Sequence, residues 1–286
     1  MEPSRPIGPL PYSKVGGLCI GADRKKVACP MMSALSNRLH ARSATLLRTL
    51  EFRLARILLG WLLVAGLVSA LRVVFAPLGH GPVELGAILP YGLVTLAPFA
   101  STLLALRWFR DGDRFAQPAT RLAIVGKWRA VEAAEARRHA LYGTSGIMVS
   151  LLVGILLNVP VRALEYVAVL PPVASTAPQW LLTLRLAMTL DVVLFSSLYM
   201  IAFVAALRRV PLFPRLLAAI WIADLAMQVG IAQMLAQEAL PATVAAALER
   251  LLAGNLQKVL ISIALWLPYL LLSKRVNVTY RLRVPA

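Results

Sequence analysis

Six blocks of apolar residues, each close to twenty residues or longer, constrain this chain more than any other feature. They cover 57–76, 85–108, 141–159, 180–207, 212–235 and 251–272. A helix needs about 20 mostly apolar residues to cross a bilayer, and a spanning segment must satisfy its own backbone hydrogen bonds, which a helix does. The expected fold is therefore all-α: a polytopic integral membrane bundle of six transmembrane helices. Composition agrees, with 59% hydrophobic residues and a mean hydropathy of +0.73, above the half-apolar content of ordinary soluble domains.

The basic residues give the bundle a direction. Of 30 Lys and Arg, 25 fall before residue 57, between 107 and 142, between 208 and 215, or after 273. The intervening loops 77–84, 170–179 and 236–247 contain none. The positive-inside rule then places both termini in the cytoplasm, and an even number of spans agrees. A net charge of +17 would point to nucleic acid in a soluble domain. Here the charges sit between apolar blocks and no nucleic-acid motif accompanies them, so the partners expected are the lipid bilayer and anionic headgroups at the cytoplasmic face. A protein partner or a second copy of the chain stays open.

The domain division is simple. Residues 1–45 read as a disordered basic tail, with Pro3, Pro6, Pro9 and Pro11 against regular helix. Met31 and Met32 stand just before a normal membrane-protein start, so the expected first residue is Met31. Residues 46–280 form the membrane domain, 109–140 its cytoplasmic helical loop, and 281–286 a cytoplasmic tail. Within the loop, 130–139 is good helix material, Pro118 fits a helix start, and the segment reads either as an interfacial helix with Trp128 at the headgroup layer or as a solvated helical elbow between spans. Cys19 and Cys29 have no metal-ligand spacing and read as free thiols. No cofactor and no metal is expected.

Two acids lie deepest in the apolar blocks. Asp191 is 11 residues from Trp180 and Asp224 nine from Arg215, which puts each about 14–16 Å along its helix. Intramembrane carboxylates are expensive and face the bundle interior or water. Gln228 is one turn from Asp224, and the last block carries Asn255 and Lys258 on one face with Ser262, Tyr269 and Ser273. The candidate polar core comprises Asp191, Asp224, Gln228, Lys258, Arg185, Arg72 and Asn255, with the acids pairing to Arg72, Arg185 or Lys258. Arg162 and Glu165, just after Pro160, read instead as an exposed pair at the outer surface.

No catalytic site follows from the residues. Gly143-Thr144-Ser145-Gly146 matches the GxSG string of rhomboid proteases, but a serine nucleophile needs a base, and no histidine lies in a later span. The string reads as small-residue helix packing. The GxGD string of aspartyl intramembrane proteases is missing around both deep acids.

The end of the chain reads Trp266, Pro268, Tyr269, Ser273, Arg275, Val276, Thr279 and Tyr280 in the pattern W-x-P-Y-x-x-x-S-x-R-V-x-x-T-aromatic. With Gly60-Trp61-Leu62 and Phe213-Pro214-Arg215, it resembles the bacterial membrane family called domain of unknown function 2569, over the first span and residues 180–280. Family members are shorter, so residues 77–170 would be an elaboration. The resemblance implies a bacterial inner-membrane location and no particular activity. Physically, Trp266 and Tyr269 suit an interface, Ser273 suits a helix cap, and Lys274 and Arg275 suit the helix dipole and headgroups. Two function classes remain: a non-catalytic membrane component that assists or anchors a partner, and a transporter of a small solute, ion or proton that uses Asp191, Asp224 and Lys258.

Overall fold

The computed structural model describes residues 30–76, 84–120, 125–174, 176–238 and 240–286, with side chains from Ser43 onward except Ala44 and Arg48. The expectations for residues 1–29, including the thiols and the proline-rich tail, lie outside the described residues. Met1–Arg38 and Leu39–Ala286 are separate units; the second is the body of the protein. The first helix, α1, runs Pro30–Val74, so residues 30–45 are helical rather than the disordered tail expected of them.

The body is a helical bundle with six helices long and apolar enough to cross a membrane. After α1 come α2 (Leu85–Trp108), a single 3-10 turn (Gly112–Arg114), strand β1 (Trp128–Ala130), α3 (Ala133–Arg138), α4 (Ile147–Val169), α5 (Gln179–Leu207), α6 (Phe213–Ala236), α7 (Ala242–Leu272), α8 (Lys274–Arg281) and strand β2 (Arg283–Pro285). Helix α5 is central and packs against α2, α4 and α6, while α7 packs against α6. Within the most apolar stretch of α5, 67% of residues are buried, against 11% for α1 and α7. The reason is in its sequence: Ala202, Ala205 and Ala206 are completely covered, and small side chains let neighbouring helices approach.

Two apolar cores are stacked along the bundle. One gathers Leu152, Val159, Phe195, Phe203, Phe213 and Trp221; the other gathers Tyr91, Ala163, Tyr166, Met188, Val192 and Ile231. On α4 the change from one core to the other falls between Val159 and Ala163, on α5 between Val192 and Phe195, and on α6 between Trp221 and Ile231. Arg162 and Asp224 lie within those intervals on α4 and α6, and Asp191 lies just before the change on α5.

Helix α4 departs from expectation. The third apolar block was placed at 141–159 with Pro160 ending or bending it, but the helix runs Ile147–Val169 with Pro160 inside. A proline inside a helix frees one backbone carbonyl and bends the axis without ending the helix where the surrounding packing holds both halves. The shift removes Gly143–Gly146 from the helix and brings Arg162 into it.

The loops at the basic end are knitted into a cap. Strands β1 and β2 pair antiparallel, Arg129 opposite Val284, so residues 281–286 are not a free tail. Trp128 is in this strand, not in an interfacial helix; Pro118 lies in non-helical loop; and the helix expected over 130–139 is confined to Ala133–Arg138. Arg137 pairs with Asp113 at 2.9 Å and Arg209 lies 5.3 Å from the Tyr142 ring centre. Gly112 fits against the turn before α6 so closely that a Cβ there would meet Val210 Cγ2 at 2.7 Å and the Arg208 carbonyl at 2.8 Å.

Candidate functional site: a buried Arg162–Asp191–Asp224 cluster

Helices α4, α5 and α6 each contribute one charged residue to the seam between the two cores. Arg162 Nη1 donates to Asp191 Oδ2 at 3.0 Å. Its Nη2 donates to both oxygens of Asp224, at 2.6 and 2.5 Å. Tyr199 Oη donates to Asp224 Oδ2 at 2.9 Å, and Gln228 Nε2 donates to Asp191 Oδ1 at 2.9 Å and to Asp224 Oδ1 at 3.5 Å. The rings of Phe195 and Tyr199 lie 5.2 and 5.9 Å from the guanidinium carbon, within cation–π range. Burial is close to complete: Asp224 is 0%, Asp191 2%, Gln228 3% and Arg162 8% exposed.

Local sequence explains why these side chains meet. Asp224 and Gln228 are one turn apart on α6 and share a face. Asp191, Phe195 and Tyr199 do the same on α5. On α4, Arg162 follows Pro160 by two residues and turns toward α5 and α6. The planar guanidinium fork suits two carboxylates at once, in a way that a lysine ammonium does not. Counting formal charges, one cation serves two carboxylates, so the fully ionised cluster carries one excess negative charge.

Three residues of the sequence-derived core, Asp191, Asp224 and Gln228, are therefore brought together. Their basic partner is none of those expected. Arg185 donates to the Val173 carbonyl at 2.8 Å. Arg72 lies beside Tyr91, with its Nε buried and unpartnered. Lys258 pairs with Glu165 and reaches Asn255 Oδ1 at 3.5 Å. The expected surface pair Arg162–Glu165 is overturned: Arg162 is interior, and Glu165 belongs to Lys258. A small cavity of about 30 Å³ nevertheless links the two sets, lined by Arg162 and Tyr199 on one side and by Glu165, Asn255 and Lys258 on the other. That is more than the roughly 10–15 Å³ that one ordered water requires.

The C-terminal motif has a structural task at the other polar site. Ser273 Oγ accepts from the Val276 amide and caps α8. Arg275 Nη1 donates to Ser145 Oγ at 2.7 Å and to the Leu141 and Gly143 carbonyls at 3.3 and 3.4 Å. Thr279 Oγ1 accepts from the Gly143 amide at 3.0 Å, Val276 is fully buried, and Tyr280 Oη donates to the Ala206 carbonyl at 2.9 Å. Trp266 and Tyr269 touch edge to face, and Pro268 lies inside α7.

Gly143–Gly146 is thus a docking loop, not a helix-packing stretch. Gly143 at φ +104° and Gly146 at φ +75° take backbone conformations suited to glycine. Arg275 grips this loop instead of pointing to headgroups, and burial pushes its guanidinium below the ordinary range. His139 Nδ1 accepts from the Leu141 amide at 3.1 Å. No hydrogen bond joins His139 to Ser145 among the described residues.

No family model matches the chain, and no curated protein or solved structure matches it either. The chemistry of the cluster is then the guide to function. Among the described residues no group of His, Cys, Asp or Glu has the arrangement of a metal site.

Proposed function

We propose that the chain is a six-span membrane protein with both termini in the cytoplasm, and that the Arg162 cluster is the proton- or cation-exchanging centre of a small-solute or ion transporter. The observation that carries this reading is the charge count of the buried cluster, two carboxylates on one guanidinium. An uncompensated charge in an apolar interior is costly, and one proton or one small cation removes it. Adding that charge at Asp191 weakens its bond to Arg162 Nη1 while the Asp224 fork remains. Binding would then change how α4 is fastened to α5, which couples occupancy to helix packing. Arg162 is 15 residues into α4 and Asp224 11 residues into α6, about 22 and 16 Å along their helices. Those depths fall inside a hydrocarbon layer of about 30 Å.

The uneven distribution of Lys and Arg supports the orientation, and the likeness to domain of unknown function 2569 supports a bacterial inner membrane. Single cysteines placed at the exposed loop positions 116 and 176 check the orientation. Labelling of 176 alone by an impermeant maleimide on intact cells agrees with it, and labelling of 116 alone reverses it.

A second reading has its own observation. The cluster is almost wholly buried, and most of its polar atoms are bonded to one another. As a static clamp it would fasten α4, α5 and α6 in a non-catalytic membrane component that works through its surfaces. Infrared difference spectroscopy of the full chain in lipid nanodiscs separates the two. The transport reading expects either a carboxylic C=O band that changes with pH and shifts in deuterated water, or carboxylate bands that shift on adding sodium or potassium, and expects that response to be lost in both Asp191→Asn and Asp224→Asn. A spectrum in which no aspartate band responds to protons or to these cations overturns the transport reading and leaves the clamp.

A further inference from the structure

The cavity of about 30 Å³ beside the cluster brings two sets of ion pairs to one wall. Arg162 is bonded to Asp191 and Asp224, and Glu165 accepts from Lys258 Nζ of α7. Arg162 and Glu165 are three residues apart on α4, which makes them neighbours on one helix face, and both line the cavity. Among the charged side chains of the cluster the guanidinium keeps the most accessible surface, 9% against 2% for Asp191 and 0% for Asp224. The cluster therefore meets the cavity through its cation, with a carboxylate of the same helix alongside.

Charge decides which partner each group holds. Two cations, Arg162 and Lys258, face three carboxylates, Asp191, Asp224 and Glu165. While both aspartates are ionised, the guanidinium has its two acceptors and Glu165 is left to Lys258. Neutralising Asp191 removes the charge–charge attraction on the Nη1 arm, and two cations then share two carboxylates. Lys258 is the more replaceable partner of Glu165: its side chain is 52% exposed, whereas the guanidinium is nearly enclosed, and attraction between charges grows with enclosure. The neighbouring phenols are bonded elsewhere. Tyr199 on α5 donates to Asp224, Tyr166 on α4 pairs with Thr189, and Tyr91 of α2 donates to the Leu170 carbonyl. The other ionisable residue of α2, Arg107, is in its last turn.

We propose that Glu165 is a positioning residue of the cluster, the alternative acceptor of the Arg162 guanidinium. When the charge on Asp191 is neutralised, the Nη1 arm leaves Asp191 for Glu165 within the cavity, pivoting on its bonds to Asp224, and Glu165 releases Lys258. The Lys258–Glu165 pair joins α7 to α4, so the exchange carries a change at a buried aspartate out to α7. This deepens the transport reading and rests on it for the proton or cation that neutralises Asp191; the exchange of partners itself follows from charge.

Magic-angle-spinning NMR of the full chain in phosphatidylcholine vesicles, with 13C-glutamate and 15N-labelled arginine and lysine, tests the assignment. Dipolar recoupling between Glu 13Cδ and the side-chain nitrogens reads which cation Glu165 holds. The Glu165→Gln spectrum identifies the signals of other pairs, such as Arg129–Glu135. At mildly alkaline pH the wild type is expected to show Glu165 with Lys258 Nζ. Asp191→Asn at the same pH is expected to lose that contact and gain one to an arginine Nη. Asp191→Leu, which removes the charge without leaving an amide, is a second variant with the same expected result. Glu165 still on Lys258 in these variants overturns the proposal. Exchange in the variants, with no aspartate band in the wild type that responds to protons, sodium or potassium, keeps the role of Glu165 and rejects transport. A responding band without exchange rejects the role of Glu165 alone.

Discussion

At the scale of single residues, the cluster shows how far a charge can be read from sequence. Asp191 and Asp224 stand out because acids are rare in long apolar blocks, and Gln228 follows from helical spacing. Arg162 was hidden by Pro160: ending the helix there puts the arginine at a surface, whereas tolerating the proline puts it beside the two acids. The signal that could have found it was charge balance, since two deep carboxylates need a cation at matching depth. The bond from Tyr199 to Asp224 gives a prediction at this scale. Tyr199→Phe removes one hydrogen bond to a charged group and keeps the ring, and should cost roughly 1.5–3 kcal/mol, read as a lowered unfolding midpoint in detergent. An unchanged midpoint would mean that Asp224 does not depend on the phenol.

At the scale of elements, three of the six long helices follow their apolar blocks closely because Trp, Arg and Pro bound them, whereas α1 and α7 begin well before their blocks and α4 runs ten residues past its own. Helix α2 begins and ends where the sequence places it, and α5 and α6 differ by about one residue at their ends. The cap was not legible in the same way. Its contacts join residues far apart in the chain, such as Arg275 to Ser145, and no periodicity encodes them. The residues of the C-terminal motif become intelligible only as a set: a helix cap at Ser273, a fork at Arg275, an acceptor at Thr279, and a buried ring at Tyr280. Arg275→Ala should therefore free the loop 141–146 and loosen the adjoining helix α3. The expected outcome is faster tryptic cleavage at Arg137 or Arg138 and a stability loss of about 2 kcal/mol. Cleavage at the wild-type rate would contradict the docking role.

At the scale of the whole molecule, two apolar cores meet at a polar seam, and that seam joins the three helices around which the bundle is built. Six apolar blocks foretold the number of long helices; the charge-bearing layer between the cores arises only when α4, α5 and α6 are packed. Stability of the bundle should accordingly follow the charge balance of the cluster rather than the size of any one side chain. The most direct measurement is thermal unfolding of the purified full chain as Arg162→Met, and as Arg162→Met combined with Asp191→Asn and Asp224→Asn. Removing the guanidinium alone leaves two buried carboxylates facing each other and should cost about 3–5 kcal/mol, while the triple variant, with no charge left in the seam, should recover most of that loss. An Arg162→Met protein as stable as wild type, or a triple variant no better than the single one, would contradict the cluster as described.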